Sequence, residues 1–408
     1  MDIKRNVKKV LELLHVEKLR KHQQKSINRI LNDQDTFVAA PTSAGKSLIY
    51  QVLAILHSNK TTLVIEPTIA LMHDQVHKLQ EHGISAKYLD STQTKRERTH
   101  ILNQFSASNI NILYLTPERL TSESFLYVLK TVKLFMIVID EAHCILDWGY
   151  GFREAYLHIG EVIDSLKPRP VISAFTATAS RKDADEICKL LHMNQPMVFE
   201  NDLYRKNLTY LKKSANSRHQ KQKLMMTYLR KYHNHASIVY CNTRNAVDAV
   251  YEFLDKKYPN QVVKCHAEMS AKKRAKHELQ FLSGEKSIMA ATSAFGMGVD
   301  LGTIDLVLHF NMPLSITDYM QQSGRAGRDE QKAHCVLLYS DEDYCTNKII
   351  LLGNNKKSAK HALVRLDEMK EFCDETNHCM AQLLLSYFGQ PRKKTCNHCT
   401  NCQRNRRK

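Results

Sequence analysis

The stretch APTSAGKS, residues 40–47, constrains the fold more than any other part of the chain. It follows the apolar run that begins at Asp35 and opens a segment typical of a helix. A Gly-Lys-Ser turn between a strand and a helix is typical of loops that hold phosphate groups through backbone N–H groups and the helix N-terminus. Ala40 stands where the strict motif has its first glycine. The stretch therefore predicts a nucleotide triphosphate site.

Each side chain of this loop has an expected task. We expect Lys46 to reach the β and γ phosphates and Ser47 to bind Mg²⁺. Backbone N–H groups around them would surround the phosphates. The predicted nucleotide-binding residues of the loop are Thr42, Ser43, Ala44, Gly45, Lys46 and Ser47.

Two carboxylates follow a buried strand in FMIVIDEAHC, at Asp140 and Glu141. The carboxyl end of a parallel strand opens into the crevice where α/β folds bind ligands. Charged residues are almost never fully buried without a partner, so packing is a poor explanation for this pair. We expect Asp140 to bind Mg²⁺ and Glu141 to orient and deprotonate an attacking water.

Short apolar runs alternate with helix-length segments along the whole chain, which predicts two successive α/β units with parallel sheets. The expected boundary lies in the polar stretch 201–222, and a small helical, cysteine-containing segment begins near residue 345. We predict domains at 1–205, 206–344 and 345–408. The predicted strands are DTFVAA, TTLVIEP, NILYLTP, LFMIVID, VISAFTA, ASIVYCN, VVKCHA, KSIMAATS, IDLVLHF and HCVLLYS.

The stretch QQSGRAGRD, residues 321–329, belongs to the second predicted unit. Arg325 and Arg328 are spaced as if one helical turn apart. An arginine that neutralises transition-state charge accelerates phosphoryl transfer by about 10³–10⁵-fold. We therefore expect these two arginines to act on the nucleotide held by the first unit, and Gln321 to lie at the same site.

The charge of the chain indicates a polyanionic partner. Lys and Arg outnumber Asp and Glu by 59 to 42, a net charge of +17. A merely soluble basic protein is the alternative, and the basic tail 392–408 is equally compatible with a solvated end. The longest apolar run, LFMIVI, is too short to span a membrane, and the N-terminus resembles no signal peptide. We expect an intracellular protein.

Four of the 11 cysteines have metal-ligand spacing: Cys379, Cys396, Cys399 and Cys402. Two overlapping C-x₂-C steps put three thiolates on one turn, and Cys379 supplies the fourth ligand that tetrahedral Zn²⁺ requires. His398 and Cys373 are alternative ligands. We expect His398 to point away and Cys373 to pack as a small apolar residue.

The ordered motifs resemble those of superfamily 2 helicases over residues 11–402. They are APTSAGKS, IEPTIALMHDQV, LYLTPERL, DEAHC, FTATA, ATSAFGMGVD and QQSGRAGRD. The segment DEAHCILDWGYGFR narrows the resemblance to the RecQ family of DNA helicases. This family implies a 3′ to 5′ ATP-dependent DNA helicase with two RecA-like domains and a zinc-binding subdomain at the same four cysteines. It also implies a role in DNA repair, recombination or replication, in the nucleus of a eukaryote or the cytoplasm of a prokaryote. We expect a monomeric core.

The resemblance assigns further residues. Gln23 matches the glutamine that contacts the adenine edge, and Arg20 matches the arginine near it. Val16 stands where the family usually has an aromatic residue that stacks on adenine. Asp300 matches a residue near the nucleotide cleft.

Trp148 and Phe152 match an aromatic-rich loop that couples DNA binding to hydrolysis in the family. Asp147, Tyr150 and Gly151 replace the usual Gln, His and Asp of that loop. Trp148 could also be a core residue, although the interleaved glycines and aromatics of this segment favour an exposed loop.

Single-stranded and duplex DNA are the expected partners. Thr68 and Thr116 follow predicted strands, where hydroxyl and backbone N–H groups would hold phosphates without selecting a base sequence. Two other functions stay open at this point. One is an RNA helicase of the same superfamily, and the other is a DNA-binding scaffold with an inactive ATPase.

Overall fold

The structure is a computed structural model that describes residues 3–41, 44–149, 153–200, 202–232, 235–293, 295–296, 302–353 and 356–406. It divides into two compact units, residues 1–202 and residues 203–408. In the described part of the chain, no helix is long and apolar enough to cross a membrane.

The first unit is built on a parallel sheet. Its strands are β1 (Thr36–Ala39), β2 (Thr61–Ile65), β3 (Ala86–Leu89), β4 (Ile112–Leu115), β5 (Leu134–Ile139), β6 (Val171–Thr176) and β7 (Met197–Glu200). They lie in the order β3-β4-β2-β5-β6-β1-β7, and every neighbouring pair is parallel. The central strands are buried along their length, as continuous apolar runs require.

Helices connect these strands. They are α1 (Ile3–Leu13), α2 (Lys21–Ile30), α3 (Lys46–Leu56), α4 (Ile69–Glu81), α5 (Lys95–Ser106), α6 (Pro117–Leu120), α7 (Glu123–Leu129), α8 (Cys144–Trp148), α9 (Ile159–Asp164) and α10 (Arg181–Leu190), with a 3₁₀ turn at Glu154–His158. Side-chain caps start several of them. Thr94 and Glu97 form a capping box at α5, and Ser180 and Asp183 form another at α10.

The second unit has its own parallel sheet. Its strands are β8 (Leu208–Ser214), β9 (Ser237–Tyr240), β10 (Val262–Cys265), β11 (Ile288–Ala291), β12 (Leu306–His309) and β13 (Ala333–Tyr339). Their order is β10-β11-β9-β12-β13-β8. Ile238 and Val239, neighbours on β9, belong to two different apolar clusters, so both faces of this sheet are covered.

The helices of the second unit are α11 (Arg218–Lys231), α12 (Arg244–Asp255), α13 (Ala271–Leu282), α14 (Ile316–Ser323), α15 (Asp341–Gly353), α16 (Lys356–Asp374), α17 (Met380–Tyr387) and α18 (Thr400–Asn405). Residues after 345 share an apolar core with the sheet, because Leu366, Met369 and Phe372 of α16 cluster with Tyr319 of α14. The division of this unit at residue 345 stays a prediction.

The predicted fold class, two parallel α/β units with a helical cysteine-containing segment, is confirmed. All ten predicted strands are present, and three further strands, β3, β7 and β8, were missed. The stretch 201–222, interpreted as a polar boundary, contains β8 and the start of α11.

Candidate active site and metal centre

The phosphate-binding loop has the predicted position between β1 and α3. Gly45, the residue immediately before α3, has a positive φ of 69°. A side chain at this position would also clash sterically, because a Cβ atom would lie 2.7 Å from the Gln23 amide nitrogen. Both observations explain why glycine occupies this position of the loop.

Gln23 of α2 lies against the loop, and Arg20 is the residue immediately before this helix. The Gln23 side-chain amide donates to the carbonyl oxygens of Ala44 at 3.2 Å and Gly45 at 2.9 Å. Its own Oε1 accepts from the Arg20 backbone N–H at 2.7 Å. Their contact with adenine stays a prediction.

Lys46, Asp140 and Glu141 are all buried in the first unit. Lys46 Nζ donates to the Ala40 carbonyl oxygen at 3.0 Å, which bends this side chain back over the loop. Asp140 Oδ1 accepts from the Glu141 N–H at 2.8 Å, and Asp140 Oδ2 accepts from the Tyr50 hydroxyl at 3.1 Å. Burial, with the nearby Glu141 charge, raises the pKa of Asp140 to about 6.

Glu141 has a left-handed backbone conformation, with φ of 46°. For a residue with a Cβ atom this conformation costs on the order of 1–2 kcal/mol and occurs often at functional sites. The chain is held there because the Ala142 N–H donates to Phe175 O at 2.8 Å. His143 lies between Glu141 and Thr176, the last residue of β6. Its Nδ1 is 3.3 Å from Glu141 Oε2 and 3.0 Å from Thr176 Oγ1.

Sequence reasoning missed a third acidic residue at this site. Glu66 follows β2, is fully buried, and has no hydrogen-bond donor facing either carboxyl oxygen among the described residues. Burial raises the pKa of Glu66 well above its ordinary value, and the charges of Asp140 and Glu141 raise it further. Asp140, Ser47 and the acidic residues around them offer the oxygen ligands that Mg²⁺ prefers.

Some predicted site residues lie outside the described part of the chain. They are Thr42 and Ser43 of the phosphate-binding loop, Phe152 of the aromatic-rich segment and Asp300.

The structure corrects the helical spacing expected for Arg325 and Arg328. Helix α14, which carries Gln321, ends at Ser323, and residues 324–329 form turns in which Gly327 leaves the helical conformation with a φ of 54°. Arg325 is buried and donates to the Gly296 carbonyl oxygen, whereas Arg328 is half-buried. Their action on a nucleotide stays a prediction.

Thr68 and Thr116 follow β2 and β4, which are neighbours in register, with Ile65 opposite Leu115. Thr68 caps α4 by accepting from the Leu71 N–H at 3.4 Å, and Thr116 precedes α6. Both therefore lie at the carboxyl edge of the sheet that also carries Asp140. This is the placement expected for side chains that contact a nucleic-acid backbone, a role that stays a prediction.

Arg153, which sequence reasoning also missed, connects these segments. Its guanidinium makes a bidentate pair with Glu118 of α6, at 2.5 and 2.6 Å, and donates to the Pro67 carbonyl oxygen. The same guanidinium lies 5.7 Å from the Trp148 ring centre. The only sequence feature that pointed to Arg153 was the presence of an arginine within the aromatic-rich segment.

Trp148 is neither free nor fully buried. It ends the short helix α8, is half-buried, and meets Tyr156 edge-on with ring centres 6.5 Å apart. The stacking of Trp148 on a base stays a prediction.

The four predicted cysteines form one buried cluster. Their Sγ atoms all lie within 4.8 Å of one another. The Cys396 N–H donates to Cys379 Sγ at 3.2 Å, and the Cys399 N–H donates to Cys396 Sγ at 3.3 Å. Hydrogen bonds among the thiols lower the pKa of Cys379 and raise that of Cys396, so the protons are shared within the cluster. Four thiolates at this spacing fit tetrahedral Zn²⁺.

The two alternative ligands lie elsewhere, as predicted. His398 turns away from the cluster, and its Nε2 lies 3.1 Å from the Leu208 carbonyl oxygen of β8. Thr400 Oγ1 accepts from the Lys212 N–H of the same strand at 2.9 Å. Cys373 is fully buried in the apolar core.

Family models match successive parts of the chain. The DEAD/DEAH box helicase model matches residues 20–187, and the helicase conserved C-terminal domain matches residues 220–330. The RecQ zinc-binding model matches residues 315–403, which contain the cysteine cluster.

Relatives support the same assignment. The chain is 37% identical over 391 residues to the ATP-dependent DNA helicase RecQ of Bacillus subtilis, covering 95% of this chain and 65% of that protein. It is 33% identical to a protein of Acanthamoeba polyphaga mimivirus named as an ATP-dependent RNA helicase, covering 98% of this chain and 72% of that protein.

Among solved structures, the fold is similar to that of the DUF1998 helicase MrfA bound to DNA and AMPPNP. The TM-score is 0.68 at 18% identity, over 93% of this chain and 56% of that one. At this identity the similarity concerns the fold alone.

Proposed function

The chain belongs to the RecQ family of helicases, and from this premise we propose that it is an ATP-dependent DNA helicase. It would move along single-stranded DNA in the 3′ to 5′ direction and unwind duplex DNA. The biological setting we propose is DNA repair, recombination or replication.

One observation carries the proposal: a single sheet edge holds both the acidic pair and the strand-end threonines. Asp140 follows β5, Thr68 and Thr116 follow β2 and β4, and these three strands are neighbours. Arg153 joins the segments that follow them through Glu118 and Pro67. The effect of DNA binding at the threonines would therefore be transmitted to the hydrolysis site through a few hydrogen-bonded side chains.

We assign the residues the following roles. Lys46 binds the β and γ phosphates, Ser47 and Asp140 hold Mg²⁺, and Glu141 orients and deprotonates water. Arg325 and Arg328 neutralise charge in the transition state. The four cysteines hold a structural Zn²⁺ that stabilises the C-terminal segment.

The direct test measures ATP hydrolysis with and without single-stranded DNA, alongside unwinding of 3′-tailed and 5′-tailed duplexes. We expect DNA to stimulate hydrolysis and only the 3′-tailed duplex to open. A rate of ATP hydrolysis that does not change when DNA is added would contradict the proposed motor activity. Preferential unwinding of the 5′-tailed duplex would contradict the proposed 3′ to 5′ polarity. Measurable DNA-stimulated hydrolysis also excludes a scaffold with an inactive ATPase.

Lys46→Ala tests the nucleotide site itself. We expect hydrolysis to be lost while most DNA binding survives, because Lys46 is bonded within the phosphate-binding loop and the threonines lie after other strands. Lys60→Ala, at an exposed position before β2, is the control. A Lys46 variant with full hydrolysis would contradict the assignment.

RNA unwinding is the second candidate, favoured by the mimivirus relative named as an RNA helicase. The same tailed substrates made of RNA decide between the two. Unwinding of RNA at a rate equal to DNA would replace the DNA-specific proposal.

A further inference from the structure

The backbone of Met312 is held by two side chains of one helix. Met312 is fully buried in the segment 310–315, which connects β12 to α14. Its N–H donates to Asp343 Oδ2 at 3.1 Å, and its carbonyl oxygen accepts from Asn347 Nδ2 at 2.8 Å. Asp343 and Asn347 are one turn apart on α15, so they lie on the same face of this helix. Helix α15 therefore fixes both backbone polar groups of a residue in the segment that leads into α14.

Asp343 also contacts three other parts of the second unit. The Lys221 ammonium group of α11 donates to both carboxylate oxygens, at 2.6 and 2.5 Å. Asn311 Nδ2 donates to Oδ1 at 2.9 Å, and the Ser340 N–H, after β13, donates to Oδ2 at 3.1 Å. A buried charge is tolerated where it is paired and hydrogen-bonded, as both members of this buried pair are. The carboxylate therefore connects α11 and α15 to the segment that enters α14.

Asn347 makes a second contact that strengthens the same arrangement. Asn242, which follows β9, donates through Nδ2 to Asn347 Oδ1 at 2.7 Å and to the Met312 carbonyl oxygen at 2.5 Å. Asn347 is 1% exposed, so an apolar replacement would leave buried polar groups without their partner. The position of Met312 thus depends on hydrogen bonds that one substitution on α15 can remove.

Helix α14 carries residues to which we assign contact with the nucleotide. It begins four residues after Met312, with Ser315 as its N-cap. Gln321 lies on this helix, and Arg325 follows its last residue by two positions. A displacement of about 1 Å in a group that positions the reaction can lower the rate about 100-fold. The segment that enters α14 is therefore a place where small shifts would affect hydrolysis.

We propose that Asp343 and Asn347 are positioning residues for ATP hydrolysis. By holding Met312 they set the position of α14, and with it the arginines that neutralise charge in the transition state. The inference rests on the proposed function, because it assumes that Arg325 and Arg328 act on the nucleotide. We assign nucleotide binding itself to the first unit, so loss of these contacts lowers the rate of hydrolysis more than the affinity for ATP.

The test replaces Asn347 by leucine, a side chain of similar size that neither donates nor accepts a hydrogen bond. Hydrolysis is measured over a range of ATP concentrations, with and without single-stranded DNA. We expect kcat to fall about tenfold or more in Asn347→Leu, while KM for ATP stays within about twofold of the wild-type value. A residue that served only stability would not produce this difference between kcat and KM.

A transition-state analogue gives a readout that does not depend on turnover. ADP with aluminium fluoride and Mg²⁺ mimics the phosphoryl group during transfer, whereas AMP-PNP mimics bound ATP. Because the arginines are assigned to charge that develops in the transition state, Asn347→Leu should bind the aluminium fluoride complex about tenfold more weakly. Its affinity for AMP-PNP should stay unchanged. Isothermal titration calorimetry measures both affinities.

Asn401→Leu is the matched control. Asn401 is also an asparagine of the second unit that is 1% exposed, and its Nδ2 donates to the carbonyl oxygens of Glu375 at 3.0 Å and His378 at 2.7 Å. This variant should lower the melting temperature as Asn347→Leu does, but it should leave kcat for basal hydrolysis unchanged. Arg328→Ala is the reference, since it removes one of the proposed catalytic arginines directly.

The outcomes separate this inference from the proposed function. A wild-type protein without ATP hydrolysis, or a wild-type kcat in Arg328→Ala, would overturn the assigned roles and the inference together. If Arg328→Ala lowers kcat and Asn347→Leu does not, the inference alone is wrong. Equal falls of kcat in Asn347→Leu and Asn401→Leu would also overturn it, because they would indicate general destabilisation. If Asn347→Leu does not fold, Asn347→Ala takes its place, and failure of both to fold would assign Asn347 to stability alone.

Discussion

His309 shows how one buried side chain can set a pH response. It lies on β12, is 1% exposed, and packs between Tyr240 and Tyr319, with ring centres 5.7 and 4.9 Å away. Burial lowers the pKa of His309 to about 3. An unfolded histidine takes up its proton near pH 6.5. The contribution of His309 to the free energy of unfolding is therefore fully present above pH 6.5. It decreases as the pH falls from 6.5 towards 3.

We predict that His309→Leu makes the second unit less sensitive to acid. Between pH 7 and pH 5 the wild-type contribution of this residue should fall by about 2 kcal/mol, because only the unfolded state binds the proton. Urea unfolding at both pH values measures the difference. If the variant and the wild-type protein lose equal stability between pH 7 and pH 5, the explanation is wrong.

Single residues could be predicted where the local motif contains the chemistry. The positions of Lys46 and Asp140 followed from a glycine turn before a helix and a carboxylate after a buried strand. Glu66 and Arg153 were missed for a different reason. Glu66 meets Asp140 through strand register, and Arg153 meets Glu118 across 35 positions of the sequence. Contacts of this kind arise from tertiary structure, which a local pattern does not contain.

At the scale of elements, Arg153 joins α6, the segment after β2 and the end of α8 through one planar group. Lysine keeps the charge but cannot make the bidentate contact. We predict that Arg153→Lys keeps basal ATP hydrolysis and lowers the DNA-stimulated part by a factor of about 2 to 30, equivalent to 0.5–2 kcal/mol of coupling.

Measurement of hydrolysis against DNA concentration checks this prediction. Arg169→Lys is the matched control, since Arg169 also makes a bidentate pair, with Asp35, in the same unit. Asp35 precedes β1, at the opposite edge of the sheet from Thr68 and Thr116. An equal loss of stimulation in both variants would indicate general destabilisation instead of coupling.

Lys212 of β8 holds the C-terminal end of α16. Its buried ammonium group donates to Phe372 O at 2.7 Å and to Glu375 O. A cation at this end also favours the helix dipole. We predict that Lys212→Met destabilises the second unit by about 1–3 kcal/mol, because the buried Phe372 carbonyl group loses its charged donor. Thermal unfolding measures the change, and Lys213→Met, at an exposed neighbour on the same strand, should have little effect.

The missed strands share a position. β3, β7 and β8 each end a sheet, whereas the interior strands and the fourth edge strand, β10, were predicted from their apolar runs. An edge strand needs fewer apolar residues, as in β8, where buried Leu208 and Tyr210 alternate with more exposed neighbours. The sequence of such a strand resembles a polar loop, and it can be identified as a strand only when the neighbouring sheet is known.

At the scale of the whole molecule, the net charge of +17 should appear in the salt dependence of DNA binding. Each neutralised phosphate of a single strand adds about −0.7 to the slope of log affinity against log salt concentration. We predict a slope on the order of −4 for about six contacts. Fluorescence anisotropy of labelled DNA across a salt series measures it, and a slope near zero would assign the surplus to ordinary surface charge.

The contacts of His398 and Thr400 with β8 give the cysteine cluster a second consequence. They occupy the Leu208 carbonyl and the Lys212 N–H on the outer side of the last strand in the second sheet. If the proposed Zn²⁺ holds this turn, its removal would release these groups, and an open strand edge pairs readily with another chain. By covering the edge of β8, the cysteine turn would also protect the protein from aggregation. Protein treated with a chelator should form β-rich oligomers in proportion to its concentration, and light scattering would detect them.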